Sequence, residues 1–273
     1  MQLADNIAVP APDLDRRFGG LARLYGDDGA ARIRAAHVAV VGVGGVGSWI
    51  AEGLARSGVG RLTLIDMDHV AESNINRQVH ATSHTLGMAK VDAMRQRITL
   101  INPACVVQTV DAFVEVGNWP GVLPGDVDAV IDACDQVRVK ALMADWARRT
   151  RRLLLMVGAA GGKRHAHLVH IEDVARVTHD PLLAQVRYQL RRNFGAPKDG
   201  KAIGVPCVYS REAVVQSQAT CDTAGGQGGN AAGQTDGSLN CHGYGSVVGV
   251  TATFGFSAVS WVLDKISSPS GKN

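Results

Sequence analysis

An α/β fold with a parallel sheet is predicted by three observations. Short apolar runs alternate with stretches of helical spacing from His37 to Gly162. The first run opens directly into Gly42-Val-Gly-Gly-Val-Gly47. Carboxylates, Asp66 and Asp132, close the second and fourth runs. Alternation of this kind builds βαβ units.

His37–Val41 is the first strand, and Ser48–Ser57 is a helix with Trp49, Ile50 and Leu54 inward. Arg61–Ile65 is the second strand. Leu86–Ile101 sets Met88, Val91, Met94, Ile98 and Ile101 on one helical side, and Asn102-Pro103 stops it. Cys105–Val110 and Val127–Ile131 are strands, Val137–Arg149 is a helix, and Leu153–Val157 is a fifth strand running into Gly158-Ala-Ala-Gly-Gly162. Beyond it, Ala166–Ile171 reads as a strand, Pro181–Arg192 as a basic amphipathic helix, and Thr251–Ile266 as a helix that packs back on the sheet. Residues 219–240 are dominated by Gly, Ala, Gln, Ser and Thr, too little apolar surface to order a segment, so a mobile loop is expected there. The organisation expected for the 273 residues is one domain: a helical segment at 1–36, a nucleotide-binding core at 37–162 and a substrate-side extension at 163–273.

Hydrophobic residues make up 46% of the chain and charged residues 19%, which excludes wholesale disorder. No two of Cys105, Cys134, Cys207, Cys221 and Cys241 lie within four residues of each other. That excludes a CxxC redox pair and a CxxC…CxxC zinc knuckle, and it suits a reducing compartment, the cytoplasm. Asp5, Asp13, Asp15, Arg16 and Arg17 break the start of the chain, so no secretory signal is expected. Gly243 to Leu263 carries no charge over a length able to span a bilayer. Its glycines, serines and threonines favour a glycine turn and a buried helix, with peripheral membrane contact as the alternative. Net charge is +3, yet residues 138–201 hold 14 Lys and Arg against 5 Asp and Glu. An excess of that size suits a polyanion. Arg148, Arg149, Arg151, Arg152, Arg187, Arg191 and Arg192 are the candidates, and an ordinary solvated face is the alternative.

The glycine motif carries the first chemical argument. Gly42 permits a tight turn, Gly44, Gly45 and Val46 present backbone to a ligand, and Gly47 lets the helix pack close. The helix N-terminus then offers N–H groups and a positive dipole to a phosphate. Asp66, 24 residues after Gly42, stands where a carboxylate takes ribose hydroxyls, with Asp68 beside it. Asn74-Ile-Asn-Arg-Gln78 faces the same strand ends, and Lys90 lies on the next helix. An arginine and a lysine over phosphates suit ATP and adenylyl chemistry, whereas hydride transfer needs no such pair. Asp132, at a strand terminus beside the crevice, can hold Mg²⁺ against a triphosphate. Asp135 fits better as the N-cap of the following helix.

GVGGVGSW, LIDMD, NINRQ, Lys90 and VIDACD together resemble the E1-type (ThiF-type) activating-enzyme superfamily, over about Arg17 to Gly162 and again in the C-terminal helix. The resemblance implies a Rossmann-like ATP-binding sheet with a C-terminal extension, on which a substrate carboxylate attacks ATP. It also implies roles: Asp66 for ribose, Asn74, Arg77, Gln78 and Lys90 for phosphates, Asp132 for Mg²⁺. Arg17 or Arg23 would reach the neighbour's ATP across a homodimer interface. A finer match is carried by Arg17-Phe-Gly-Gly-Leu-Ala-Arg-Leu-Tyr-Gly26, by NRQ with His80 two residues on, and by VTATFGFSAVS. It is similar to the tRNA threonylcarbamoyladenosine dehydratases. Sulfur-carrier activators usually carry two zinc-binding CxxC pairs, and this chain has neither.

That resemblance implies a tRNA substrate bearing threonylcarbamoyladenosine at position 37. ATP would adenylate the threonyl carboxylate, and an atom of the modification would close a ring with net loss of water, a step favoured by proximity. The ions expected with ATP are Mg²⁺ and, at the glycine-rich region, a monovalent cation, Na⁺ or K⁺. Cys241 is a candidate thiol if its pKa is lowered, with a cysteine-desulfurase or sulfur-acceptor system as a candidate partner. Three rivals stand beside this reading. Adenylation of a sulfur-carrier protein is weakened by the missing zinc cysteines. An NAD(P)-dependent oxidoreductase is weakened by Arg77, Lys90 and Asp132. A non-catalytic scaffold is weakened by the intact phosphate-facing set.

Overall fold

The computed structural model describes residues 11–215 and 244–268. Its strands are β1 (His37–Val41), β2 (Arg61–Ile65), β3 (Val106–Val110), β4 (Ala129–Asp132), β5 (Leu153–Val157), β6 (Val169–Asp173) and β7 (Pro206–Ser210). Its helices are α1 (Leu14–Ala35), α2 (Gly47–Arg56), α3 (Lys90–Ile101), α4 (Val137–Thr150), α5 (Pro181–Asn193) and α6 (Val248–Ser267). The strands form one sheet in the order β3-β2-β1-β4-β5-β7-β6. All pairings are parallel except β6 with β7. The α/β class and the parallel sheet are as expected.

Side-chain alternation explains the apolar runs. Val38 and Val40 enter a core with α2, α3, α6 and Ile33 of α1, while Ala39 and Val41 enter a second core with α4 and α5. Both faces are covered, so β1 reads as an unbroken apolar run. The chain leaves β1 toward β2 on one side and reaches β4 on the other. This reversal opens a crevice at the carboxyl ends of β1 and β4, where α/β sheets bind ligands.

Several boundaries differ from expectation. Helix α3 starts at Lys90, because turns fill the preceding residues and Gly87 has φ +79°. Ala166–Leu168 is a 3₁₀ turn, and the strand follows it as β6. Strand β7 has no expectation in the sequence reading, since its five residues sit in a stretch without a clear period. Within α1, Gly26 adopts φ +73° and breaks the helix. The loop expected at 219–240 lies outside the described residues.

Helix α6 accounts for the uncharged C-terminal stretch. Val250, Phe254, Ala258, Val259 and Val262 are buried in the first core. Among the described residues, no helix is long and apolar enough to cross a membrane. The helix crosses α2 at two glycines. A Cβ on Gly255 would sit 2.7 Å from Trp49 Cβ, and one on Gly53 would sit 2.9 Å from Val259 Cγ2. The backbone approach sets the glycine of Phe254-Gly-Phe256.

His80, two residues after the Asn74–Gln78 loop, is buried, with neither ring nitrogen partnered among the described residues. Burial, then Lys90 and Arg97, lower its pKa from 6.5 to about 4, so the folded imidazole is neutral.

Replacing Gly255 by Val should lower stability by about 2 kcal/mol or more, because the added methyls collide with α2. Denaturant titration measures it, and an unchanged midpoint would mean that the two helices part without cost. A second expectation concerns pH. Between pH 6.5 and about 4 the unfolded His80 binds a proton that the folded one refuses, so stability falls as pH drops through that window. The loss is on the order of 3 kcal/mol. His80→Gln should flatten the stability–pH curve there relative to the parent chain, and parallel curves would contradict a neutral buried imidazole.

Candidate active site

The glycine motif is built by contacts that tolerate no side chain. Gly42 has φ +84°, and a Cβ there would lie 3.0 Å from the Ala133 carbonyl and the Cys134 nitrogen. A Cβ on Gly47 would lie 1.8 Å from the Gly42 oxygen. Strand β1 therefore turns hard against the β4–α4 loop before α2 begins. No side chain caps α2 at Val46. An uncapped helix start at the end of a glycine turn is an anion-receiving geometry.

A cavity opens at the carboxyl ends of β1, β2, β4 and β5. Gly42, Gly44, Gly45, Val46, Asp66, Asp68, Arg77, Gln78 and Lys90 line it, as the sequence suggested. Asp66 accepts the Val43 N–H at 2.6 Å and the Asp68 N–H at 2.8 Å. Burial raises its pKa, and the Lys90 charge and those two N–H groups oppose the rise. Lys90 Nζ donates to Asp68 Oδ2 at 2.6 Å. Arg77 Nη1 donates to the Ser73 carbonyl at 2.6 Å and to Asn76 Oδ1 at 3.0 Å, and burial lowers the pKa of its guanidinium. The Arg77 carbonyl accepts the indole N–H of Trp49 at 2.9 Å, tying the loop to α2. Gln78 is buried with its Oε1 unpartnered among the described residues.

Other expected site residues fall elsewhere. Asn74 does not line the cavity; its Oδ1 accepts the Ala71 N–H at 3.1 Å and closes its own turn. Gly47 acts through packing against Gly42 rather than by touching the cavity. Arg17 donates to the Ile101 carbonyl at 2.7 Å, at the end of α3 that lies away from the cavity. Arg23 is exposed on α1, and among the described residues nothing engages its guanidinium.

Asp132 requires a correction. It has no exposed surface and does not line the cavity. Its Oδ1 accepts the Cys134 N–H at 3.1 Å, and its Oδ2 lies 3.0 Å from Lys140 Nζ, an ion pair without good hydrogen-bond alignment. A carboxylate so enclosed has no open face for a metal. Asp135 does line the cavity, and among the described residues no hydrogen bond or ion pair engages it. Nor is it the cap of α4: that position is Gln136, whose side chain makes no capping bond. VIDACD contains both aspartates, and only the turn after β4 decides which faces the ligand. The sequence reading also missed Phe113, Val114, Ala159, Gly161, Tyr244, Ser246 and Thr251 in the lining. Ala159, Gly161, Tyr244, Ser246 and Thr251 had proximity to glycine-containing turns as their one signal, and Phe113 and Val114 had none.

The seven arginines proposed for a polyanion do not flank the cavity. Helix α4 has 14 residues and spans about 21 Å, carrying Arg148, Arg149, Arg151 and Arg152 to the amino ends of the strands, beside Ala36, Asp128 and Leu153. There they line a depression of 1170 Å³ that shares no residue with the glycine-motif cavity. The smaller cavity is the chemical one, because it alone sits at the reversal of strand order. Arg148 and Arg149 pair with Asp145, Arg152 donates to the Val127 carbonyl, and Arg151 is an exposed left-handed C-cap. Arg187 is spent on the Val174 and Val177 carbonyls, and Arg191 on the Pro197 carbonyl. Arg192 donates to the Tyr188 hydroxyl at 2.8 Å. Among the described residues no group of His, Cys, Asp and Glu could hold a metal ion by itself. Burial, joined by the Asp132 charge, raises the Cys134 thiol well above its ordinary range, so it is inert. Cys241 lies outside the described residues.

The chain matches the ThiF family over residues 16–272. It is 43% identical over 259 residues to the tRNA threonylcarbamoyladenosine dehydratase of Escherichia coli K12, covering 94% of this chain and 96% of that one. The Haemophilus influenzae dehydratase of the same name is 41% identical over 256 residues, covering 92% and 94%. The crystal structure of Escherichia coli tRNA N6-threonylcarbamoyladenosine dehydratase, TcdA, in complex with ATP superposes with a TM-score of 0.82 at 40% identity, covering 95% of this chain and 97% of that one. The chain therefore belongs to the ThiF family, alongside the tRNA threonylcarbamoyladenosine dehydratases that it matches along nearly its whole length.

Proposed function

We propose that the chain is an ATP-dependent tRNA threonylcarbamoyladenosine dehydratase, which adenylates the threonyl carboxylate and lets it cyclise. One observation carries the reading. Asp66, Arg77, Gln78, Lys90 and Asp135 converge on one cavity at the mouth of the glycine motif. The carrier-activating alternative is not favoured, since the relatives that match the whole chain are dehydratases.

The chemistry follows from the charges. The Asp66 carboxylate takes the ribose hydroxyls of ATP, and the glycine-motif backbone and the start of α2 receive phosphate oxygens. Arg77 and Lys90 stabilise the charge that grows on the phosphates when the threonyl carboxylate attacks the α-phosphorus. Pyrophosphate leaves and an acyl adenylate remains. An atom of the modification then attacks the activated carbonyl and releases AMP. One carboxylate oxygen leaves within AMP, so the nucleoside loses the elements of water.

Asp135 is the residue that fits Mg²⁺. It is a carboxylate facing the cavity with no hydrogen-bond or ion-pair partner among the described residues, and Mg²⁺ is usually held by one or two carboxylates plus substrate phosphates. The ion would supply charge neutralisation on the triphosphate. A homodimer belongs to the same reading: Arg23 and its neighbour Leu24, 74% exposed, offer α1 surface to a second copy. Exposed Arg149, Arg151 and Arg192 are the arginines left for tRNA phosphates.

Purified protein with Mg²⁺, ATP and threonylcarbamoyladenosine-bearing tRNA should release AMP only when that tRNA is present, with the nucleoside lighter by about 18 Da, one water. Pyrophosphate exchange driven by a diglycine-ended carrier protein, with no change in the nucleoside, would replace this reading by the carrier-activating one. Asp135→Asn should keep fold and tRNA binding and lose at least about a hundredfold in AMP release. Asp132→Asn should instead unfold more readily, by about 3–5 kcal/mol, because Lys140 stays buried without its counter-charge. If thermal melting leaves Asp132→Asn unchanged while turnover vanishes, the two aspartates have been assigned the wrong way round.

A further inference from the structure

The cavity has two ends, and the proposed function uses one of them for ATP. Asp66, with Phe113 and Val114, marks the end over β2 and β3. The other end lies past β5, against Ala159, Gly161 and Tyr244. With strands ordered β2-β1-β4-β5, the two ends are three strand spacings apart, roughly 14 Å. A nucleotide whose ribose is on Asp66 and whose phosphates lie on the glycine motif leaves the β5 end for the carboxylate that attacks.

Tyr244 is seated at that end on the Gly161–Gly162 turn. A Cβ on Gly161 would lie 3.4 Å from Tyr244 Cβ, and one on Gly162 would lie 3.4 Å from Tyr244 Cδ1, so the aromatic side chain rests on bare glycine backbone. The Gly162 N–H donates to the Gly245 carbonyl at 2.8 Å. Asn76 Nδ2 donates to the Ser246 carbonyl at 3.0 Å, and Asn76 Oδ1 also accepts from Arg77. One asparagine thus joins the tyrosine segment to the phosphate-facing arginine.

We propose that Tyr244 is the stacking platform for the purine that carries the threonylcarbamoyl group, and so positions its carboxylate toward the α-phosphate. The inference rests on the dehydratase reading and adds the residue that receives the RNA base. A loop base must leave its stack to reach a protein cavity, and aromatic side chains are the usual replacement for its lost neighbours. The carboxylate is joined to the purine through the short threonylcarbamoyl link, so fixing the base fixes the nucleophile. Tyr244 is a positioning residue; it takes no part in bond making.

Steady-state kinetics of the full chain with modified tRNA and ATP test this. Tyr244→Ala and Tyr244→Leu should each raise KM for the modified tRNA, by roughly 5- to 100-fold. KM for ATP should stay within about twofold, which also reports an intact cavity. Tyr244→Phe should restore the parent value, since the π-face is retained. If Tyr244→Leu matches Tyr244→Phe, apolar bulk suffices and stacking is refuted. Equal rises in both KM values would make Tyr244 a packing residue and refute the proposal as well. Should the parent chain itself leave modified tRNA unchanged, the functional reading fails first, and the result is distinct from any pattern among the variants.

Discussion

Lys140 has no exposed surface, yet its ammonium reaches three oxygens of one short turn: Asp132 Oδ2 at 3.0 Å, the Asp132 carbonyl at 3.2 Å and the Cys134 carbonyl at 2.9 Å. Burial is the largest single influence and pulls the lysine's pKa down, but the Asp132 charge and hydrogen bond, joined by the neighbouring thiols, together raise it, so the ammonium keeps its charge. Removing either charge strands the other in the core. The turn so fixed is the surface against which Gly42 closes, at 3.0 Å from a would-be Cβ to the Ala133 carbonyl and the Cys134 nitrogen. It also ends at Asp135, facing the cavity. The glycine motif and the proposed metal carboxylate therefore share one support, and that support is an ion pair that contacts no ligand.

This arrangement explains what the sequence disclosed and what it withheld. Strand β1, the glycine motif and Asp66 were legible because each is a local pattern: an apolar run, a spacing of glycines, a carboxylate at a strand end. Asp132 is also a carboxylate at a strand end, and there the same rule failed. What separates it from Asp66 is a lysine eight residues on, whose direction depends on how α4 packs against the sheet. Lys140 looks like any helix lysine in the linear sequence, and its burial becomes visible only when α4 is laid on β4 and β5. The β5 end of the cavity was hidden for a related reason, since Tyr244 arrives there from a segment distant in the chain.

The arginines show a different limit. Six of the seven proposed for a polyanion stand in the last turn of α4 or α5 or just beyond α4. Cations at helix C-termini are favoured by the helix dipole and by unsatisfied carbonyls, whatever the function. Several donate to backbone carbonyls, as Arg152 does to Val127. Local charge excess counted these as available when the fold had already used them. Exposure without a carbonyl partner is the sharper criterion, and it leaves a short set.

The two cations of the cavity are held differently from those arginines, and the difference bears on catalysis. Lys90 rests on Asp68, whose side chain is half exposed, and Arg77 rests on the Ser73 carbonyl and Asn76, at the surface. Each has its charge fixed in place by a partner that water can replace. Phosphate oxygens entering the cavity can therefore compete for both without leaving a buried charge unpaired. Electrostatic stabilisation of a transition state is effective when the charges are oriented beforehand and need no reorganisation. Here the backbone supplies the orientation: Trp49 holds the Arg77 carbonyl, and Lys90 begins α3 with its N–H bonded to the Asp68 carbonyl at 2.9 Å. The core charge, Lys140, is locked to keep the turn in shape, and the cavity charges are poised so that the nucleotide can take them over.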